Sequence, residues 1–146
     1  MSLESGHYII NNAGSSIGRY MIEDLSLRPK RVVSLPQGVV PFHWIIEKVN
    51  DDKYLLKAIG CATGELDGHV YAFLIDQGKA EHWKLEPVQG SLPNCFTIRT
   101  QNGSKGWVAE EGSNHGDIKT IKCEPLKGSD GNYPQTEIFQ FFHTAF

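Results

Sequence analysis

One two-strand unit recurs three times along this chain, and no other feature restricts its fold as strongly. The first copy is Phe42–Val49, a polar turn at Asn50-Asp51-Asp52, and then Lys53–Ile59. A large aromatic, Trp44, marks the first strand, and Tyr54 opens an aromatic-x-aliphatic pattern in the second. The pattern returns as His82-Trp83-Lys84-Leu85, a turn with Gly90 and Pro93, and Cys95-Phe96-Thr97-Ile98. The third copy is divided between the chain ends: Ile138–Phe141 supplies its first strand and His7–Ile10 its second. Self-similarity of this kind fixes architecture before any single residue does. A repeat closed by the two termini predicts a threefold β barrel.

The spacings support loops of varying length on a common frame. Trp44, Trp83 and Phe139 are 39 and 56 residues apart, whereas Tyr8, Tyr54 and Phe96 are 46 and 42 apart. Further strands are read at 18–23, 31–35, 69–75, 105–110 and 118–123. Residues 61–68 are turn-rich and mark their strand poorly, while Asn102-Gly103 reads as a hairpin turn. No segment carries a 3.6-residue apolar period, and turn signals fall every 8–12 residues, as in all-β sandwiches and barrels. Twelve short strands in three groups of four predict an all-β chain, a β-trefoil, forming one domain over residues 1–146. Trp44, Trp83 and Phe139 are its expected core, and Trp107 is a candidate for exposure.

Composition narrows the function. A net charge of -3 disfavours nucleic acid or an anionic membrane as partner, since both attract a basic excess. No apolar run approaches the roughly 20 residues that span a bilayer, and residues 1–30 lack the pattern of a signal peptide. Cys61, Cys95 and Cys123 are odd in number and far apart, which fits reduced core thiols in a cytoplasmic protein better than a disulfide framework.

An enzyme is not expected. The six histidines stand at unrelated spacings, mostly inside strands, and no HExxH, GxSxG or phosphate-cradling loop occurs. His43 and His82 are expected on the outer face. Asp130-Gly131-Asn132 through Glu137 lacks the full ligand spacing of an EF-hand calcium loop and reads as a solvated turn, so neither metal nor cofactor is expected. A glycan-binding lectin is the alternative, although the Gln-x-Trp signature of ricin-type units is missing. Function is therefore expected in loops held at both ends by the barrel. Two loops carry cations: Asp24–Arg31 with Arg28, Lys30 and Arg31, and Glu124–Thr136 with Lys127 followed by Gly128. A basic residue on a constrained loop suits the acidic pocket of a trypsin-like protease, and fixed loop ends lower the entropic cost of binding.

The opening Met1-Ser2-Leu3, the Gly6-His7-Tyr8-Ile9-Ile10 run, Arg31–Pro36 and the Trp44-Ile45-Ile46 strand resemble the mushroom β-trefoil protease inhibitors. The likeness is strongest to the mycospins, inhibitors of serine proteases, and extends to the mycocypins, which inhibit cysteine proteases. It implies a cytoplasmic, disulfide-free defence protein, acting as a monomer, with a trypsin-like or papain-like protease as partner. The mycospin reactive loops correspond to Asp24–Arg31 and Glu124–Thr136. Pro29 directly after Arg28 fits a trypsin-like cleft poorly, which leaves Lys30 and Lys127 as the comparable candidates. The mycocypin loops correspond to Asn12–Ser16, with Gly14 and Ser15, and to Pro36–Pro41, with Gln37 and Gly38. The loop Gly60–Glu65 contains no Asn, so the resemblance does not extend to inhibition of asparaginyl endopeptidase.

Overall fold

The computed structural model describes residues 3–19, 26–36, 38–90, 92–110 and 119–144. They form twelve strands: β1 (Gly6–Asn12), β2 (Ser15–Arg19), β3 (Lys30–Ser34), β4 (His43–Lys48), β5 (Lys53–Ala58), β6 (Cys61–Leu66), β7 (His69–Ala72), β8 (Trp83–Pro87), β9 (Cys95–Arg99), β10 (Gly106–Ala109), β11 (Lys119–Glu124) and β12 (Phe139–His143). Two single 3₁₀ turns, Gln77–Lys79 and Gln135–Glu137, are the only helical segments among the described residues.

Six strands close on themselves through antiparallel pairs. β1 pairs β4, β4 pairs β5, β5 pairs β8, β8 pairs β9, β9 pairs β12, and β12 returns to β1. The chain ends thus complete the third repeat. The other six strands form three hairpins, β2–β3, β6–β7 and β10–β11, and β3, β7 and β11 pair with one another. A closed ring leaves no free strand edge for another chain to extend.

The register repeats as well as the order. Tyr8 lies opposite Trp44, Tyr54 opposite Trp83, and Phe96 opposite Phe139. Strand side chains alternate between faces, so Tyr8 and Ile10, Tyr54 and Leu56, and Phe96 and Ile98 all turn into one core. His43 and His82 point outward, as expected. Each fully buried aromatic contributes about 3 kcal/mol through the surface it removes from water.

Trp107 overturns its expectation. It is fully buried, and the rings of Trp44, Trp83 and Phe139 surround it at 5.9, 5.5 and 5.9 Å between centroids. The cause is Gly106, where a Cβ would lie 2.7 Å from the Ile98 carbonyl oxygen; its absence lets β10 press against β9 and turns Trp107 inward. Gly18, Gly64 and Gly106 share the 46- and 42-residue spacing of the repeat, a signal present in the sequence. The indoles of Trp44 and Trp83 donate to the Ile17 carbonyl and Thr63 Oγ1 at 2.7 and 2.9 Å. That of Trp107 has no acceptor among the described residues, a cost of about 1–3 kcal/mol.

Two strands also differ from expectation. β2 begins at Ser15, leaving Ala13-Gly14 as a two-residue turn with φ of 50° and 86°, which closes the hairpin by the geometry favoured for such loops. β6 is a full strand over the turn-rich stretch, because the ladder with β7 overrides its weak local preference and only Asp67-Gly68 turns. The Asn102-Gly103 turn exists but is wider than a two-residue hairpin, since β9 ends at Arg99 and β10 begins at Gly106. The three cysteines are unpaired, with Cys95 and Cys123 buried.

Candidate functional site

The two cationic loops have different fates. Lys30 is only 6% exposed, and it corrects the expectation that it could serve as a reactive residue. It opens β3, pairs with Ala72 of β7, and shares the inward face with Val32, so strand alternation draws it inside. Arg31 is exposed, but its backbone is held in the same ladder opposite Tyr71, which removes it from any protruding loop. Arg28 remains exposed, with its N–H donating to Ser26 Oγ at 3.3 Å. Asp24 and Leu25, which begin this loop, lie outside the described residues.

Lys127 is exposed on the loop between β11 and β12, above a buried carboxylate. The side chain of Glu137, 1% exposed, reaches back under the loop. One carboxylate oxygen accepts the N–H of Lys127 at 2.7 Å and the other the N–H of Gly128 at 3.1 Å. Hydrogen bonds to an ionised acceptor are stronger than neutral ones, and here two successive peptide units share one acceptor group.

The rest of the loop is tied at three further points. Ser129 and Asn132 exchange backbone hydrogen bonds of 3.1 and 2.9 Å across Asp130-Gly131, whose φ of 51° and 86° make a tight reverse turn. Tyr133 receives a 2.7 Å hydrogen bond on its hydroxyl from Arg99 Nη2, whose guanidinium carbon lies 5.5 Å from the ring centre. Asn12 of β1 donates from Nδ2 to the carbonyls of Gln135 and Ile138 at 2.8 and 2.9 Å. Gly128 is fitted closely: a Cβ there would come within 2.5–2.6 Å of Asn132 O and of Tyr133. The loop is therefore a built object, with the Lys127 side chain on its solvent side.

The loops aligned with cysteine-protease inhibition are less complete. Gly14 is exposed in the β1–β2 turn, whereas Ser15 is the first residue of β2 and pairs with Asn12. Gly38 is exposed with φ of 86°, and Gln37 lies outside the described residues. A cavity of about 290 Å³ adjoins Gly14, lined by Ala13, Val88, Leu92 and Ile138 with amide side chains around them. Among the described residues that line it none is aromatic or charged, so they offer no stacking surface for a sugar ring.

A second polar cluster joins β6 to the segments just before β8 and β10, beside Cys123 of β11. Lys105 Nζ lies 3.0 Å from both carboxylate oxygens of Glu65, which raises the ammonium pKa, while Glu81 Oε2 accepts the N–H of Glu65 at 2.9 Å. Burial, then the nearby Glu65 and Glu81, push the Cys123 thiol up to about 12. This cluster pins strands together. Among the described residues, no three His, Cys, Asp or Glu side chains are placed to hold a metal. No helix among the described residues is long and apolar enough to cross a membrane.

Residues 1–143 match the family of peptidase inhibitor I66. The chain belongs to the peptidase inhibitor I66 family. As an I66 member it is a protease inhibitor and has a protease as partner, in agreement with the resemblance seen in its sequence. A serine protease inhibitor of Lentinula edodes is 37% identical over 141 residues, covering 95% of this chain and 96% of the relative. The structure of a proteinase inhibitor from Coprinopsis cinerea superposes with a TM-score of 0.82 at 27% identity, over 98% of this chain and 100% of the other. A Macrolepiota procera ricin B-like lectin in complex with lactose superposes with a TM-score of 0.67 at 11% identity, over 99% of each chain. That last likeness is one of fold alone.

Arg99 and Tyr133 have no marked place in the sequence, Asn12 enters only as the edge of the Asn12–Ser16 loop, and Glu137 only as the end of a stretch without calcium-loop spacing. One signal was available for Glu137: it stands two residues before Phe139, as Glu81 stands two before Trp83. The use made of the position differs, because Glu81 braces a strand and Glu137 braces a loop.

Proposed function

We propose that this chain is a β-trefoil inhibitor of trypsin-like serine proteases, which presents Lys127 to the protease active site and performs no chemistry of its own. The observation that carries this reading is the exposed Lys127 on a backbone held from below by buried Glu137. A lysine of this kind provides the charge for an acidic specificity pocket. Its rigid support means that little further ordering is needed on binding. Of the cations in the β2–β3 loop, Arg28 is exposed outside the strand ladder, and it is followed by Pro29. The serine protease inhibitor of Lentinula edodes supports the choice of protease class. A defensive role inside the cell that makes it accords with this activity.

The test is residual activity of trypsin, chymotrypsin and papain titrated with the purified chain and with its Lys127→Ala variant. Stoichiometric loss of trypsin activity with the native chain, absent with the variant, is the expected result. Trypsin inhibition that survives Lys127→Ala removes the site assignment. Inhibition of papain alone replaces the reading with one centred on Gly14 and Gly38.

A further inference from the structure

Glu137 does more than support a loop. Its two oxygens hold the N–H groups of Lys127 and Gly128, the residues on either side of one peptide bond. From this we infer that Glu137 is a positioning residue that keeps the Lys127–Gly128 bond from being lost to hydrolysis while a protease is bound. This inference rests on the reading that Lys127 enters the protease.

The chemistry is that of acyl transfer to a serine protease. The protease serine oxygen adds to the Lys127 carbonyl carbon. The bond from that carbon to the Gly128 nitrogen breaks, and the electron pair stays on nitrogen, which takes a proton from the protease's general acid. Lys127 is then joined to the protease as an ester, and Gly128 carries a free amine. Hydrolysis goes forward only if that amine leaves and water replaces it. In an ordinary substrate the leaving segment diffuses away.

Here the amine remains a donor to Glu137, and the same carboxylate still holds the Lys127 N–H. Glu137 is itself fixed, being buried in the 3₁₀ turn Gln135–Glu137 that Asn12 bolts to β1. On the leaving side, the Ser129–Asn132 turn and the Arg99–Tyr133 hydrogen bond limit movement of the new chain end. The amine thus stays beside the ester carbon at a high effective concentration. It re-attacks, the serine oxygen departs with a proton, and the peptide bond re-forms. The other two repeats lack this device: the equivalent positions are Phe42, which has no carboxylate, and Glu81, which accepts from a strand.

The variant that separates holding from folding is Glu137→Gln, which keeps the volume but leaves one oxygen where two N–H groups need acceptors. Each variant is incubated with catalytic trypsin and the fragments are weighed by mass spectrometry. Glu137→Gln is expected to accumulate cleavage between Lys127 and Gly128 about tenfold faster than the native chain or more, on the strength of a hydrogen bond to an ionised group, and its inhibition is expected to fade with time. A second arm needs no variant: native chain already cut at this bond, returned to trypsin, is expected to regain the intact mass by losing one water. Equal cleavage rates in native and Glu137→Gln chains, both shown folded by circular dichroism, would overturn the inference. So would cut native chain that is never rejoined, and this arm decides if Glu137→Gln does not fold. Failure of the underlying reading looks different, because Lys127→Ala would then still inhibit trypsin and no cut would appear at this bond.

Discussion

The Asp24–Arg31 and Glu124–Thr136 stretches look alike in composition, since both combine basic residues with proline and glycine or serine, yet the fold takes Lys30 and Arg31 into a strand and leaves Lys127 on a loop. In the first, β3 begins at Lys30 and takes Lys30 and Arg31 into the ladder with β7. In the second, β11 ends at Glu124 and β12 begins only at Phe139, so Lys127 stands outside any ladder. A cation in a strand is committed to one face of a sheet. A cation on a braced loop keeps its side chain free for a partner while its backbone is already ordered. Ordering before binding, more than the presence of a positive charge, distinguishes the two connections.

The largest expected effect comes from changing the charge on the second loop while keeping its frame. Lys127→Leu should weaken trypsin inhibition on the order of a hundredfold or more, the scale for deleting one partner of a buried charge pair. It should also bring measurable inhibition of chymotrypsin, whose pocket is apolar. Inhibition constants for both enzymes check this, and an unchanged trypsin constant breaks the comparison. Next comes Gly128→Ala. The added methyl would meet Asn132 and Tyr133 at about 2.5 Å, so the loop must move. We expect a stability loss of about 1–3 kcal/mol by denaturant titration, together with weaker trypsin inhibition.

The first loop should show the reverse partition. Lys30→Ala should lower stability by about 1–3 kcal/mol, as is usual for a change at a buried polar site, while the folded fraction inhibits trypsin as well as the native chain. Arg28→Ala should alter neither quantity by more than about twofold, as befits an exposed surface residue. Melting curves and inhibition constants from the same preparations separate the two effects.

The remaining effect shows only at alkaline pH and concerns the root of the second loop, where Cys123 lies in β11. Burial raises its thiol from an ordinary 9.0 to about 12. In the unfolded chain the thiol loses its proton at lower pH than in the folded one. Its contribution to stability is therefore complete below about pH 9 and declines as pH rises towards 12. The raised pKa values of Tyr8, through burial first, and of Lys105, through its hydrogen bond to Glu65, act in the same direction. Stability measured by denaturant should fall over this alkaline range, and Cys123→Ala should make the fall shallower. An unchanged slope would show that this thiol does not contribute.

Much of the frame was legible because the barrel writes its register as a repeat. Trp44, Trp83 and Phe139 faced Tyr8, Tyr54 and Phe96 as their spacing implied. Trp107 escaped because its burial follows from the missing side chain at Gly106 and from three aromatics far away in sequence. Lys30 escaped for a related reason: a lysine beside a proline reads as loop, and only the ladder with β7 shows where β3 begins. The candidate site was half legible. Lys127 and Gly128 stood out by residue type, whereas Glu137 acts across nine and ten residues of irregular chain, a contact no periodicity records.

The most direct test of Lys127 as the residue that enters the protease is chemical footprinting of the chain bound to trypsin. Lysines are acetylated and arginines modified with phenylglyoxal, before and after the complex forms, and each site is quantified by mass spectrometry. This account predicts that Lys127 becomes protected in the complex while Arg28 stays as reactive as in the free chain. Protection of Arg28 with Lys127 still labelled would contradict it and move the contact to the β2–β3 loop.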